Sequence, residues 1–547
     1  MQRLLPVLLA CAVLNADDIV PPHRIGVGAA ERRLTLDEAV ELAMSANLDV
    51  AIERTNVSTA GQETRSALGS FDPVVHFQPN FGDTNTPAVS VLEGVNGVLS
   101  QHAVGQTLSY REQTPWNGLT FDTSFNNNRA TQANPFLSLN PFYTTQLTFT
   151  ATQPLARGRA IDAQRALVII RRRDRDASLA QLEERALAVA TQVQEAYWDL
   201  VAARRQVDVD AEAANLARVQ LEQDRRMIAA GALPQVELSA AEAELERHMD
   251  ALYRSTGNVT AVENNLKTLV AGGRGDALWQ DEIVPVDSSA AATPTVVLVS
   301  DAVEEALRRR PELKELDANL AANQVRTRQN ADALKPQVNL VASYSLAGLA
   351  GNVQSGPDPF TAVALPVYER VNALSQSAGL PALASPVLGT VPPSAAGGLG
   401  SSFTNLFRGN YQSVTAGLEL DFTLHNRTAA ANLEEAAIAQ KRLGLMRGRA
   451  EQAIEAQVRN ALQALETARQ RMRAANAGAA AAREKLESET RLFEAGESTN
   501  FLVLTRQNEY SDARRLQVEA DAAFNKAVAE YEGALGTALE ARQITVE

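Results

Sequence analysis

Apolar residues follow a helical period over a long stretch in the first half of the chain. The stripe has an apolar residue at every third or fourth position: Leu182, Ala186, Val189, Val193, Ala196, Leu200, Ala203 and Val207. This spacing is typical of helices that pack side by side, and the many alanines let a neighbouring helix approach closely. No proline interrupts the residues from Ile161 to Ala230, so roughly seventy residues at ~1.5 Å each predict a rod of about 100 Å.

Gly231 and Pro234 end this rod, and a second helical run extends from Val236 to Leu269. Glycine commonly ends a helix in a left-handed conformation, and a proline soon afterwards cannot continue it. The two runs therefore predict a long antiparallel helical hairpin.

The hairpin pattern occurs twice. It returns in Leu443 to Leu535, where Gly496 takes the place of Gly231 at an offset of 265 residues. The same offset superposes Val193–Leu200 on Val458–Leu465. We interpret the chain as an internal duplication, and hence as one elongated, two-fold pseudo-symmetric body.

A helix start also recurs ahead of each hairpin. Thr35 followed by Glu38 predicts a capping box, with a helix that continues to about Leu68. Ala39-Val40 aligns with Ala302-Val303 at an offset of 263 residues. Each half therefore has the same order of helix, strand region and helical hairpin.

Apolar and polar residues alternate with a period of two in four other segments. The apolar members are Val75, Phe77 and Phe81; Leu147, Phe149 and Ala151; Val338, Leu340, Ala342 and Tyr344; and Val414, Ala416, Leu418, Leu420 and Phe422. The pattern predicts four β-strands with one apolar and one polar face. It fits both a half-buried soluble sheet and barrel strands that are apolar toward lipid and polar toward a lumen. Four strands cannot close a barrel, because about eight is the usual minimum, so the second interpretation requires an oligomer.

Two long loops are predicted between these strands. Asp83 to Tyr143 is rich in Asn and Thr and contains one further strand-like piece, Leu119 to Phe125. Ala347 to Asn410 is rich in Pro, Gly, Ser and Ala. Such compositions are typical of surface loops, and we expect little fixed structure in the second.

Composition and charge narrow the function classes. The 547 residues carry a formal net charge of -14, so nucleic acid, which selects basic surfaces, is not an expected partner. The five histidines and the single cysteine are not at metal-ligand spacing. Neither a phosphate-cradling glycine loop nor a nucleophile elbow appears. We therefore expect no enzyme activity, no cofactor and no metal site.

The first residues have the pattern of an export signal. Arg3 precedes a short apolar run, and the segment that ends at Cys11 resembles a bacterial lipoprotein signal, in which Cys11 becomes the lipidated first residue. Cleavage after Ala16 by an ordinary signal peptidase is the alternative. Residues 1–16 are thus predicted to be a signal peptide or lipoprotein signal, and residues 17–33 a linker.

The order of segments resembles the TolC family of bacterial outer-membrane efflux proteins. The matching features are the helix starts Leu34–Asp49 and Val299–Glu312, the junctions Phe71–Pro73, Gln153–Leu155 and Leu334–Pro336, and the Ala-Gly turns followed by Val236 and Leu238 and by Phe501, Val503 and Leu504. The resemblance covers roughly Leu34 to Leu535. The duplicated order is its specific part.

The resemblance implies a mixed α/β membrane protein made mainly of long α-helical hairpins. In a homotrimer, four strands per chain would form a twelve-stranded β-barrel through the outer membrane, and the helices a coiled-coil-like barrel through the periplasm. The implied function is the exit duct of a tripartite export system, a passive channel for small molecules or secreted polypeptide. An inner-membrane pump and a periplasmic adaptor would be its partners. The alternative is a structural coiled-coil protein of the cell envelope without a pore.

The resemblance also implies roles for individual residues. They are an adaptor-docking tip at Gly231 and Gly496, a tunnel constriction at Glu237, Leu502 and Thr505, and, if the barrel forms, lumen-facing carboxylates at Glu419 and Asp421. Family members often carry acidic residues at the two second-repeat constriction positions, which here are Leu502 and Thr505. The resemblance therefore does not imply that this chain has an acidic, cation-binding constriction like that of other members.

Two repeats are predicted, at 34–298 and 299–536, followed by a tail at 537–547. Their parts are a helix, a strand-and-loop region and a helical hairpin, at 34–68, 71–152 and 155–272 in the first repeat and at 299–334, 336–424 and 427–535 in the second.

Overall fold

A computed structural model describes residues 19–28, 30–90, 93–231, 233–287, 298–355, 359–384 and 390–544. The predicted export signal, with Cys11, lies outside these residues. The chain divides into two compact units. Unit 1 comprises Met1–Gly61, Arg173–Leu320 and Arg442–Glu547, and unit 2 comprises Gln62–Arg172 and Ala321–Lys441.

Helices make up most of the chain. In chain order they are α1 (Leu36–Ala46), α2 (Leu48–Leu68), α3 (Ala163–Ala229), α4 (Val236–Val270), α5 (Val299–Arg309), α6 (Pro311–Ala333), α7 (Pro359–Ser377), α8 (Leu399–Phe407), α9 (Arg427–Glu494) and α10 (Asn500–Leu535). Helices α3 and α9 have 67 and 68 residues, and α4 and α10 have 35 and 36. These near-equal lengths are what an internal duplication produces. Within the described residues, no helix combines the length and the apolar composition needed to cross a membrane.

The strands form two sheets. They are β1 (Glu31–Leu34), β2 (Val74–Pro87), β3 (Val98–Gln113), β4 (Thr120–Gln132), β5 (Leu139–Pro154), β6 (Glu282–Pro285), β7 (Gln337–Val353) and β8 (Tyr411–Asp421). In unit 1, β1 pairs with β6 in parallel. In unit 2 the other six form one antiparallel sheet in the order β2-β3-β4-β5-β7-β8.

The sheet of unit 2 therefore has six strands, and the prediction of four per chain was wrong. The predicted loop from Asp83 to Tyr143 contains β3 and β4 in addition to parts of β2 and β5. Many residues on both faces of β3 and β4 are Ser, Thr, Asn or Gln. Hydrophobicity consequently shows no clear period of two, and only the piece from Leu119 to Phe125 was visible in the sequence.

The expectation of little fixed structure between Ala347 and Asn410 was also wrong for the described part. Strand β7 continues to Val353, and α7 and α8 follow. Helix α8 packs on the sheet at Gly348, where a Cβ atom would lie 2.1 Å from the carbonyl oxygen of Ser402. The absence of a side chain at Gly348 permits this close approach. Packing against the sheet therefore orders this segment, and its local composition gives no sign of that packing.

Each predicted opening helix consists of two helices. Thr35 caps α1 in the predicted capping box: its hydroxyl accepts from the Glu38 amide, and the Glu38 carboxylate accepts from the Thr35 amide. Asn47 then separates α1 from α2, since its side chain accepts from the Asp49 amide at 2.9 Å. Arg310 separates α5 from α6, because a residue before proline disfavours the helical conformation.

The predicted stripe of α3 lies in the core of unit 1. Its residues from Leu182 to Ala203 are exposed by 5% or less, and Val207 packs against them. A second core joins α9 and α10, with the buried residues Ile454, Val458, Leu465, Phe524, Val528 and Tyr531. The helical period therefore identified the buried side of the longest elements correctly.

A buried ionic network holds part of the predicted linker 17–33 in unit 1. Lys267 and Glu263, with side chains 0% and 1% exposed, pair at 2.7 Å. Arg24 donates to the second carboxylate oxygen of Glu263 at 2.6 Å and pairs with Glu282 at 2.7 Å. Arg24 and strand β1 are thus structured, contrary to the linker prediction. Their partners are more than two hundred residues away in the sequence, so no local pattern indicates them.

Candidate functional site

The sheet of unit 2 has two chemically different faces. Directly opposed residues of antiparallel strands share a face, and their chain neighbours lie on the other. Two rows of what we call the apolar face are Val75, Tyr110, Thr123, Phe149, Tyr344 and Val414, and Phe77, Leu108, Phe125, Leu147, Leu346 and Gln412. The row between them, on what we call the polar face, is His76, Ser109, Ser124, Thr148, Ser345 and Ser413.

Much of the apolar face is uncovered in the single chain. Val75, Phe77 and Val414 are exposed by 66%, 59% and 74%. A soluble monomer rarely exposes so continuous an apolar surface. The six strands have 11 to 17 residues, and about 9–11 residues suffice for a tilted strand to cross a bilayer. The sheet therefore has the strand lengths and the exposed apolar face of a membrane-spanning β-sheet.

Glu419 and Asp421 lie at the end of β8 on the polar face. Glu419 is opposite Asn339, whose amide donates to its carboxylate at 3.3 Å, and Asp421 is opposite Gln337. Both carboxylates are exposed in the single chain. Their orientation toward a lumen stays a prediction.

Helix α8 covers a polar part of the otherwise apolar face. The hydroxyl groups of Ser402 and Thr145 lie 3.0 Å apart, and the Ser402 hydroxyl donates to the Gly348 carbonyl at 3.1 Å. Phe403 stacks on Phe125 with 5.4 Å between ring centroids. No sequence pattern indicates this contact, because α8 falls in the predicted loop.

In unit 1 both helical hairpins reverse at a glycine with positive φ. Gly231 has φ +74°, and its amide donates to the Ile228 carbonyl at 2.9 Å. Gly496 has φ +79°, and its amide donates to the Phe493 carbonyl at 2.9 Å. This left-handed conformation satisfies the last carbonyls of the preceding helix and is favourable only for glycine and a few other residues. The role of the two turns in docking stays a prediction.

A buried polar cluster joins the two hairpins near these turns. Gln220 and Asp224 of α3 are exposed by 5% and 0%, and Asn500 of α10 by 5%. The Gln220 amide donates to Asp224 and to Asn500 at 2.9 Å each, and the Asn500 amide donates to Asp224 at 2.9 Å. Burial raises the pKa of Asp224, although the hydrogen bonds from Gln220 and Asn500 act in the opposite direction. We call these three residues the inter-hairpin cluster.

Of the three predicted constriction residues, Glu237 contacts this cluster. Glu237 is half-buried and accepts from the Asn500 amide at 3.5 Å. Leu502 is 37% exposed, whereas the Thr505 hydroxyl donates to the carbonyl of Phe501 in its own helix at 2.7 Å. Among the three candidates, Glu237 thus has a described hydrogen bond that connects the hairpins, and Thr505 bonds within its own helix.

A second polar contact joins the hairpins farther along the helices. Asp210 of α3 is 3% exposed and accepts from Arg515 of α10 at 2.9 Å. The two hairpins of unit 1 are therefore connected by buried polar groups at two places along the helices. Among the described residues, no group of three or more His, Cys, Asp or Glu side chains is placed to hold a metal ion.

Several solved outer-membrane proteins have a similar structure. CmeC of Campylobacter jejuni, an outer membrane channel, is 14% identical over 92% of this chain and 86% of that chain, with a TM-score of 0.59. The open state of MtrE of Neisseria gonorrhoeae is 14% identical over 92% and 89%, with a TM-score of 0.56. VceC of Vibrio cholerae is 14% identical over 92% and 96%, with a TM-score of 0.56. No curated protein sequence matches the chain significantly.

At such low identity these likenesses establish the fold alone. The family is established by sequence, because the family model described as outer membrane efflux protein matches residues 116–272 and 302–537. The matched residues are well over half of the chain and include both hairpins and both glycine turns. The chain belongs to the outer membrane efflux protein family.

Proposed function

We propose that three copies of this outer-membrane efflux channel form one continuous exit duct of a tripartite export system. The observation that carries the proposal is the long antiparallel sheet with an exposed apolar face, a polar face and two unpaired edges. Edges of this kind cannot remain open in lipid, because each unpaired backbone group there lacks any hydrogen-bonding partner. Other copies of the chain would supply the missing partners.

The helical hairpins would continue the duct in the periplasm and end at Gly231 and Gly496. A periplasmic adaptor, bound to an inner-membrane pump, would dock at these turns. The duct itself performs no chemical step in this proposal, and the pump supplies the energy. A pore-free structural coiled coil is disfavoured by membership in a family of outer-membrane efflux channels.

The polar face suggests which solutes the duct tolerates. Its rows consist mainly of uncharged Ser, Thr, Asn and Gln side chains, with the Arg111–Asp122 ion pair in one row and Glu419 and Asp421 at one end. A wall whose side chains are mostly uncharged offers few groups that could hold a small molecule strongly, which suits passive release. Two carboxylates per copy at one end would favour cations over anions.

Single-channel recording in planar bilayers, with the oligomer mass measured on the same preparation, tests this proposal. We expect a trimer with discrete, cation-selective conductance steps. The double variant Glu419→Gln/Asp421→Asn should keep the conductance steps and lose part of the cation selectivity, because it removes the charges while preserving side-chain size. A monomer without conductance steps would contradict the proposed duct, and unchanged selectivity would contradict the lumen assignment of these two residues.

The inter-hairpin cluster predicts a closed resting state that a single substitution opens. Asn500→Ala removes the hydrogen bonds to Asp224 and Gln220 and leaves the Asp224 carboxylate buried without one of its donors. An unsatisfied buried group costs about 1–3 kcal/mol, and ~1.4 kcal/mol corresponds to a tenfold change in an equilibrium. If this cost falls on the closed state alone, we expect a rise of about tenfold in the open fraction of single channels.

Thr505→Ala is the matched control for this variant. The hydrogen bond described for its hydroxyl lies within α10, so its loss should leave the open fraction near that of the wild type. Equal open fractions in Asn500→Ala and Thr505→Ala would rule out a closing role for the cluster.

A further inference from the structure

We infer that the duct closes through the membrane as an eighteen-stranded barrel, in which β8 of one copy pairs with β2 of the next. The inference rests on the proposed trimer. It departs from the twelve strands implied by the resemblance, because each chain supplies six strands to one sheet.

The first support is the continuity of the ladder. Strand β2 pairs with β3 over all 14 of its residues, and β3 pairs with β4 from Gln101–Gln132 to Gln113–Thr120 without a register shift. Strands β3 and β4 have 16 and 13 residues, and each is long enough to cross a bilayer. The hairpin formed by β3 and β4, which is additional to the four predicted strands, is thus an integral part of the sheet.

The second support is that the additional strands continue both faces. On the apolar face, Leu108 and Phe125 lie in the row that begins at Phe77. On the polar face, Ser109 and Ser124 lie in the row that begins at His76. If β3 and β4 lay outside the membrane wall, their apolar side chains would have no reason to align with those of the neighbouring strands.

The third support is the state of the two edges. All 11 residues of β8 are exposed, and so are 13 of the 14 residues of β2. Among the described strands, each of the two has a single neighbour in the sheet. Exposed edge strands of this length are normally protected, because they offer unpaired backbone groups to other chains. Here the absence of protection indicates that a second copy of the chain covers them.

The number of strands also satisfies the geometry of closure. Adjacent strands in the sheet are antiparallel, so with six strands β8 runs opposite to β2. The β2 strand of the next copy therefore meets β8 in an antiparallel arrangement at every joint. Barrel diameter grows roughly linearly with strand number, so eighteen strands would give a lumen about 1.5-fold wider than twelve.

Disulfide cross-linking between copies tests which edges meet. Val414→Cys in β8 is combined with a second cysteine in β2, at Val75, Phe77 or Phe81, and the full-length protein is oxidised in the membrane. Several positions in β2 are tested because the register between β8 of one copy and β2 of the next depends on the stagger of the closed barrel, which the structure of one chain does not define. The matched control scan places the second cysteine in β4, at Thr123 or Phe125, in the same rows as Val75 and Phe77. Variants with a single introduced cysteine show whether the native Cys11 forms any of the cross-links.

We expect at least one β2 position to move most of the protein from the monomer band to a reducible dimer and trimer ladder in denaturing gels. The β4 positions should leave it in the monomer band. Cross-links from β8 to β4 but not to β2 would overturn the inference in favour of a twelve-stranded wall. A trimer without any of these cross-links would overturn it as well. A protein that is not trimeric by mass would instead contradict the proposed function.

Discussion

Gly496→Pro should abolish export while the trimer still assembles. The turn requires φ +79° at this position and uses its amide as a donor to the Phe493 carbonyl at 2.9 Å. Proline fixes φ near -65° and has no amide hydrogen, so it cannot form this turn. The cores of unit 1 lie along the helices and do not include Gly496, so assembly should persist. Survival of an export-deficient host on toxic compounds measures export, and native mass measures the trimer.

Gly496→Ala is the matched control for this prediction. An added Cβ atom would meet nothing within 4 Å, so only the left-handed conformation opposes alanine, at roughly 1–2 kcal/mol. We expect export to decrease modestly in Gly496→Ala and to be lost in Gly496→Pro. Gly231→Pro should behave like Gly496→Pro, because Gly231 has the same conformation with φ +74°. Normal export in both proline variants would exclude the turns as the docking tip.

The sequence predicted the helical hairpins well because their signals are local. A stripe from Leu182 to Ala203 extends over several turns, and the glycine at each reversal is a residue type that the turn requires. The strands near Val338 and Val414 were also visible, since apolar and polar residues alternate there almost without exception. In each case the fold follows from residues close together in the chain.

The missed features depend on residues that are far apart in the chain. Strands β3 and β4 are stabilised by their neighbours in the ladder, and their Asn- and Thr-rich sequence has little hydrophobic contrast. The inter-hairpin cluster brings Asp224 to Asn500, 276 positions later. Neither residue is unusual in a polar helix, so no sequence pattern distinguishes it from a solvated one. Predicting the candidate site therefore required the alignment of the hairpins that only the structure gives.

The buried ionic network predicts the largest effect on stability, in the variant Glu263→Ala. This carboxylate pairs with Lys267 at 2.7 Å and with Arg24 at 2.6 Å, and Lys267 is 0% exposed. Removing one partner of a buried ion pair typically costs about 3–5 kcal/mol. The carbonyls of Trp279 and Asp281 accept hydrogen bonds from Lys267 but do not replace the lost negative charge. We expect a marked decrease in the temperature at which the helical circular dichroism signal of the detergent-solubilised protein is lost.

Two further variants separate charge burial from a general effect of substitution. Glu263→Ala combined with Lys267→Met removes both charges of the closest pair, so it should recover part of the lost stability. Asp199→Ala removes an exposed pair with Lys526, whose side chains are 42% and 36% exposed, and it should cost less than about 1 kcal/mol. If Glu263→Ala melted at the same temperature as Asp199→Ala, the network would not stabilise unit 1. The ordered path of the chain around Arg24 would then need another cause, such as the pairing of β1 with β6.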